Sequence, residues 1–465
     1  MAQLHQTFPD LSDANKLLAA KLEELKATPN IEVMTGSEVT AVDGYVGNFK
    51  VRVKQQPAYV DMQKCTRCNL CLSACPVRVP DEFNAGLNQR TAIYSLNSAE
   101  PHYLIDPSAC LRLQGETCSA CEEACQPRAI DFNQKPEERE LEIGTIVMAT
   151  GYEVFDPLLK PEYGYGTYPN VITSLELERL ASPSGPTNGR IEIDGREPEK
   201  VVFIQCVGSR DKSVGNEYCS QTCCTNTTKQ AHYVKQTLPG AKVTVCYMDA
   251  RAFGKGHEQF YEKVQKEGVL YRRGNVSEVY KRGGKLIVRA EDTLLGEFYE
   301  AEADLVVLAV GLVPCPEAHN LAKMLRITLD ADGFFLEAHP KLGPVDTTTE
   351  GVMLAGCCQG PKDITDTVVQ GQAAAVKAGI PLFCGKLIKE PLVPFIDTEI
   401  CRGCRLCESV CEFGALVFDE SQKVMTLNEL LCRGCGACTV ACPSGANQMK
   451  NSSKKCLLET VTLLA

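Results

Sequence analysis

The sequence predicts an α/β chain with a doubly wound sheet, and two cysteine-rich segments lie before and after it. Three observations carry this prediction. Between residues 200 and 315, short apolar β-branched runs alternate with helical segments. Twenty of the 26 cysteines fall into five groups of four. Segments 61–130 and 398–446 each carry two cysteine runs, an internal repeat.

The elements follow in order. Residues 13–25 are apolar at helical spacing, and NIEVMTGSEVTAVDG and NFKVRV read as strands joined by glycine-containing turns. LEIGTIVMATGY (141–152) reads as one buried strand ending in Ala-Thr-Gly. Residues 157–198 are rich in Pro, Gly and Ser and loop-like, with a short helix near 175–180. Strand VVFIQ leads to a helix over 225–236, and strand KVTVCYM to a helix near 257–265; GVLYRR, KLIVRA and DLVVLAVG are further strands. GVMLAG is a strand and VVQGQAAAVKAG an Ala-rich helix, and the tail 451–465 is short and packs on the surface.

At 465 residues the chain has room for roughly two to four domains, each with its own core. A net charge of −11 argues against a nucleic-acid grip and for protein or small-molecule partners. There is no apolar run long enough to span a bilayer, and the start MAQLHQTFPD lacks a basic region followed by an apolar one. In a large chain of this kind CxxC spacings point to metal rather than disulfides.

CTRCNLCLSACP supplies Cys65, Cys68, Cys71 and Cys75. The second run of that module is Cys110, Cys118, Cys121 and Cys125, with a widened first gap. The C-terminal module carries CRGCRLCESVC (Cys401, Cys404, Cys407, Cys411) and CRGCGACTVACP (Cys432, Cys435, Cys438, Cys442). This is the C-x2-C-x2-C-x3-C spacing of [4Fe–4S] ligation, in which the fourth cysteine of each run reaches the other cluster. The spacing therefore groups Cys65, Cys68, Cys71 with Cys125, and Cys110, Cys118, Cys121 with Cys75. It likewise groups Cys401, Cys404, Cys407 with Cys442, and Cys432, Cys435, Cys438 with Cys411. Structural zinc also takes four cysteines, but it favours two separated CxxC knuckles.

The fifth group, Cys206, Cys219, Cys223 and Cys224, lies in QCVGSRDKSVGNEYCSQTCC. It stands where a strand ends and a helix begins, the place where a nucleotide-binding fold would carry glycines. A metal site and free core cysteines both remain open from spacing alone. Cys219 and Cys223 sit one helical turn apart, and the strand end brings Cys206 to the helix start.

QCVGSRD…YCSxxCC resembles the signature of the heterodisulfide reductase A-subunit family, whose members are iron–sulfur flavoproteins. NIEVMTGSEV, DGYVGNFKV, PDEFNAGLNQR, IVMATGY, EYGYG, SGPTNG, YMDARAFGKG, EDTLLG and AGCCQGPKDI also resemble that family, over about residues 1–450. The resemblance implies a thioredoxin-reductase-like arrangement of two Rossmann-like domains, the first incomplete, with two bacterial-type ferredoxin modules. Its segments are a partial FAD domain (1–60, continued at 136–198 and 316–390), an inserted ferredoxin module (61–135), a Rossmann domain with a non-standard [4Fe–4S] site (199–315), a second ferredoxin module (391–450) and a tail (451–465). It makes the fifth quartet a cluster site and gives about five clusters in all.

The resembled family carries an FAD-phosphate glycine loop in an upstream βαβ unit, and usually cysteines ahead of position 60. This sequence shows neither, so two readings stand: a naturally split protein, or a start at an internal methionine. The resemblance places the redox end of FAD at Ala149, Thr150, Gly151, Gly356, Gly360, Pro361, Lys362, Asp363 and Ile364, and Cys357 replaces a usual Asp. The remaining cysteines, Cys246, Cys315, Cys358, Cys384 and Cys456 with Cys357, read as small buried hydrophobes or incidental thiols.

What the resemblance implies is a cytoplasmic oxidoreductase component in a hetero-oligomer, or a dimer of such complexes. Its flavin takes electron pairs and divides them between two branches, and its clusters lead to ferredoxin. Partners would be the B- and C-like subunits of heterodisulfide reductase, a hydrogenase or formate dehydrogenase, or another oxidoreductase such as a benzoyl-CoA reductase, with a further chain carrying the missing FAD half. No nucleic acid and no direct membrane insertion are expected. The alternatives are a flavin-free iron–sulfur wire and a zinc-loaded scaffold.

Overall fold

The computed structural model describes residues 1–95, 102–386, 392–452 and 454–464. At its centre stands a five-stranded sheet in the spatial order Val171–Thr173, Leu305–Val310, Lys200–Val207, Lys242–Tyr247, Leu270–Arg273. Every neighbouring pair is parallel. The β-branched runs form it because both faces are covered, and all six residues of Leu305–Val310 are buried. Alternation sorts the side chains. Val201, Phe203, Val243 and Val245 face the helices Ser174–Ala181, Cys223–Thr237 and His257–Lys266, meeting Leu177, Ala231, Val234 and Val264. Val202, Ile204, Val306 and Leu308 face the other way, onto Val279, Leu286 and Val288. Burying each such side chain contributes about 1.5–3 kcal/mol.

The second layer is a three-stranded antiparallel sheet, Val276–Arg282, Lys285–Asp292 and Glu297–Ala303. The sequence reading has only its middle strand, KLIVRA. The outer two, VSEVYKR and EFYEAEA, set Val276 and Val279, and Tyr299, Ala301 and Ala303, on the inner face, but a register shift between Val276 and Glu278 breaks the first pattern and small alanines weaken the second.

LEIGTIVMATGY is two strands rather than one. Glu137–Ile143 joins the hairpin Ser37–Asp43/Phe49–Gln55, all antiparallel. The chain then turns at Gly144, where a Cβ would lie 2.4 Å from Leu382 Cδ2, and Ile146–Met148 pairs in parallel with Val352–Leu354. Residues 30–36 are not strand; pairing begins at Ser37. The first helix runs Ala14–Ala27, with Asp13 accepting from the Asn15 and Lys16 amides, and Ala14 is its one buried residue.

The inserted module holds short helices Leu70–Ala74 and Ala120–Ala124 and two small hairpins; the C-terminal module holds Leu406–Ser409, Ala437–Val440 and two two-stranded sheets. The tail differs from expectation: it forms a helix, Lys454–Leu464, whose Leu457, Leu458, Val461 and Leu463 are exposed rather than packed. Among the described residues no helix is long and apolar enough to cross a membrane.

Candidate redox site

In the two modules the cysteine loops are shaped by left-handed residues at matching places. The second and fourth positions after the first cysteine are Arg67 and Asn69 (φ 57° and 62°), Gly403 and Arg405 (61° and 61°), Gly434 and Gly436 (67° and 77°). Successive turns of this kind aim backbone N–H groups into one concavity. The widened run uses Gly115 (φ 93°) instead.

The quartets assembled in space are the crossed ones. Cys71 is flanked by Cys65 and Cys125, and burial with these neighbours pushes its thiol up to about 11. Cys121 is flanked by Cys110, Cys75 and Cys118, and burial with these neighbours pushes it up to about 12. Cys407 lies by Cys442 and Cys404, and Cys438 by Cys432, Cys435 and Cys411. Three of the quartets each line one cavity: Cys75/Cys110/Cys118/Cys121, Cys411/Cys432/Cys435/Cys438 and Cys401/Cys404/Cys407/Cys442. The Ala129 amide donates to Cys125 Sγ (3.3 Å) and the Ala415 amide to Cys411 Sγ (3.4 Å), the same contact in both modules. Such N–H···S bonds favour the thiolate and tune a cluster's potential.

Buried thiols that surround a cavity, each raising the cost of ionising the next, fit a multi-iron cluster that fills the space and supplies positive charge.

At the C-terminal end of the central sheet, Cys206 lies next to last in the strand Lys200–Val207 and Cys223 opens the helix Cys223–Thr237, with their sulfurs 3.9 Å apart. The Cys206 contact, with burial, pushes the Cys223 thiol up to about 12. Cys206 (φ 60°), Gly208 (69°), Arg210 (57°) and Gln221 (58°) are all left-handed, an unusual density of strain for one loop. Cys219 does not share the helix with Cys223, as the spacing had allowed. It sits in the loop before it, placed by Ser220, which is fully buried and bonded to Ser209 Oγ (3.0 Å) and the Leu312 amide (2.9 Å). The Gln221 amide donates to Cys219 Sγ (3.3 Å). Cys224 is held by hydrogen bonds to Gln205 Oε1 and Asp249 O, both 3.6 Å.

Sequence reasoning missed the surroundings of this quartet. Met248 packs on the buried thiols, and Arg210, bound to Asp249 at 2.6 Å, lies where it feels Cys206 and Cys219. The motif YMDARAFGKG was the available signal, since it places Met248 and Asp249 at the end of the adjacent parallel strand. Tyr103 was missed likewise; its hydroxyl bonds Asn69 inside the first cysteine run.

The remaining candidates gather round the pair Ile146–Met148/Val352–Leu354. Ala149 and Thr150 are exposed at one strand end, and Gly151 (φ 77°) and Gly356 (φ 77°) turn the two chains beside each other. Cys315 Sγ donates to Thr150 O (3.3 Å) and Cys358 Sγ to Met148 O (3.3 Å). Gly360 (φ 154°) and Pro361 lead to Lys362, which is not a free loop lysine: its Nζ donates to Gly356 O (2.9 Å), Gln359 Oε1 (3.1 Å) and Gly360 O (2.7 Å). Burial holds its pKa below the ordinary lysine value. Asp363 caps the helix Ile364–Cys384 by accepting from the Asp366 amide (2.8 Å), and Ile364 begins it. Of the spare cysteines, Cys246, Cys357 and Cys358 are buried as small hydrophobes, whereas Cys384 is exposed.

Residues 400–446 match the family model for a 4Fe-4S dicluster domain, and residues 58–81 that for a 4Fe-4S binding domain. The chain is 48% identical over 428 residues to the iron-sulfur A subunit of the CoB–CoM heterodisulfide reductase of Methanocaldococcus jannaschii. It is 46% identical over 426 residues to the A subunit of the H(2):CoB-CoM heterodisulfide,ferredoxin reductase of Methanothermobacter marburgensis. Each match covers 90% of this chain and 64% of the relative, so the chain spans under two thirds of those proteins. Among solved structures, T. acidophilum thioredoxin reductase aligns over 53% of this chain and 69% of that chain, at 19% identity and a TM-score of 0.34, too loose an overlap to support an argument.

Proposed function

We propose that this chain, homologous over 90% of its length to the A subunits of heterodisulfide reductases, is an electron-transfer component of a multi-subunit oxidoreductase. The observation that supports this best is the set of crossed quartets in two modules, with a fifth cluster of thiols at the C-terminal end of a parallel sheet. Closely spaced clusters move single electrons without any catalytic side chain, and the protein sets their potentials through burial and N–H···S bonds.

Flavin is the second cofactor of this reading. Bound here, it would supply the interchange between two-electron and one-electron transfer. Gly151 and Gly356 leave room for close approach, Ala149 and Thr150 line the strand end, and the loop Gly360, Pro361, Lys362 offers a cation held in place by three acceptors. The chain's part is to receive the redox end only. A parallel pair of strands is not a stable sheet by itself. Val147, in the middle of Ile146–Met148, is exposed, and the 21-residue helix Ile364–Cys384 buries only Ala374 and Ala378 while Val368, Val369, Val376, Ile380 and Phe383 face outward. A further strand and helix, from a partner or from a segment beyond this chain, would cover both and bring the phosphate-binding loop. With two cluster modules in the chain, electrons divided at the flavin would have two exits. The compartment is cytoplasmic, because exposed clusters need reducing surroundings; partners are the other subunits of the complex and ferredoxin.

Redox-monitored EPR and metal analysis on anaerobically purified protein test the reading. Several reducible [4Fe–4S] signals and iron far in excess of zinc are expected. Zinc without iron, and no visible absorption, would overturn it.

A further inference from the structure

We infer that the hairpin tip 81–88 of the inserted module is a key that locks this module onto the central α/β domain, with Arg179 as its positioning residue. The chain leaves the cluster-lining Cys75, runs through Val79–Pro80, turns, and returns through Gln89–Arg90. At the hairpin's base Arg90 binds Asp106 at 2.8 Å, with side chains 11% and 16% exposed, so the hairpin moves with its module. At the tip Asp81 accepts from the Phe83 amide (3.1 Å) and from Asn84 Nδ2 (2.9 Å). That second bond fixes the Asn84 amide with its oxygen outward, where it accepts from Arg179 Nε at 2.9 Å.

Arg179 belongs to the helix Ser174–Ala181 of the central domain and is 0% exposed. Its other nitrogens donate to Gln3 O (3.2 Å) and Ser184 O (3.1 Å), and its guanidinium lies 4.8 Å from the Phe83 ring centroid. Leu87, three residues past Asn84, packs against the core between sheet and helices. One buried side chain thus ties its own helix to stretches of chain that are 95 and 176 residues away in sequence.

The hydrogen-bond acceptors of this buried cation are all neutral, and the Asp81 and Glu178 carboxylates offset its burial only through space, which makes it a poor choice for stability. Its use is geometric: a planar fork with donors in fixed directions sets distance and angle together, which a lysine does not. The key therefore fixes the gap between the inserted module's clusters and the rest of the chain. This function of the lock rests on the electron-transfer reading above.

The test uses the full chain with its clusters and three variants: Arg179→Met, Asn84→Ala, and Asn84→Asp, which keeps an acceptor for Arg179. Three readouts are taken: iron per chain, amide hydrogen exchange over residues 83–87, and the rate of electron redistribution after rapid reduction, with dipolar coupling between reduced clusters by EPR. Asn84→Ala and Arg179→Met keep their iron, exchange at 83–87 about tenfold faster or more, the worth of one hydrogen bond to a charged group, and show weakened coupling and slower redistribution. Asn84→Asp keeps the acceptor for Arg179 but loses the Nδ2 donor to Asp81 and sets two carboxylates together, so its exchange falls between the parent and Asn84→Ala. Unchanged exchange and coupling in iron-replete Asn84→Ala would overturn the lock. Absence of any electron redistribution in the unsubstituted chain would instead overturn the electron-transfer reading, with the exchange data still deciding whether the tip is a lock.

Discussion

Crossed ligation makes a prediction that uncrossed ligation reverses. Cys125 follows Cys118 and Cys121 in sequence, yet it stands beside Cys71. Replacing Cys125 with alanine removes the fourth thiol from the Cys65/Cys68/Cys71 quartet and leaves Cys110, Cys118, Cys121 with Cys75 intact. Each [4Fe–4S] cluster carries about four irons, so five clusters hold about twenty and one loss costs about four. Double substitutions separate the schemes, because two lesions in one cluster do not add whereas lesions in two clusters do. Cys125→Ala with Cys68→Ala should lose about four irons per chain, the same as either alone. Cys125→Ala with Cys118→Ala should lose about eight. The assay is iron and acid-labile sulfide per chain after anaerobic purification, with EPR to count the remaining reduced centres. The reverse pattern, about eight for the first pair and about four for the second, would refute the crossed assignment.

Other consequences follow from single contacts. Lys229 and Glu178 form a buried pair at 2.8 Å with side chains 6% and 4% exposed, so Lys229→Met leaves a buried carboxylate short of its cation. About 3 kcal/mol should be lost, lowering the central domain's thermal midpoint by roughly 10 °C, and Glu178→Gln in the same chain should restore much of it. Gly208 is left-handed and a Cβ there would lie 2.2 Å from the Phe155 ring. Gly208→Ala should therefore distort the loop that leads to Cys219 and remove about four irons without touching the modules; full iron content would count against a cluster at that quartet. Stripping iron with a chelator should open the modules to protease within 61–135 and 391–450, since Cys75, Cys110 and Cys121 are part of the inserted module's own core, while the central sheet stays resistant.

The inner strands of the parallel sheet were readable because they are buried and appear as β-branched runs, whereas the edge strand Val171–Thr173 lies in the stretch 157–198 that reads as loop. The ferredoxin quartets were readable because thiolate spacing round a cubane is a local property of the chain. What escaped is long-range in origin. The turn at Gly144 that splits LEIGTIVMATGY is held by two 2.7 Å bonds to distant parts of the chain, the Gly47 amide donating to Gly144 O and the Ile146 amide donating to Gly351 O. The outer strands of the antiparallel sheet carry only a weak apolar face, broken by a bulge in one and built on alanines in the other, and pairing with Lys285–Asp292 completes them. Cys219 looked helical by its distance from Cys223, but Ser220 is tied to Ser209 and Leu312 and holds that segment as loop. The three acceptors of Lys362 and the acceptors gathered round Arg179 are likewise assembled by tertiary contacts that spacing does not reveal.

The central claim is an electron-carrying chain that holds the redox end of a flavin whose other half comes from outside it. Flavin per chain, measured by acid extraction from protein purified anaerobically both alone and with its native partners, tests that claim most directly. Close to none in the isolated chain and about one per chain in the complex is the result predicted for a cofactor shared in this way. Stoichiometric flavin in the isolated chain would contradict the shared site, and none in either preparation would leave only an iron–sulfur wire.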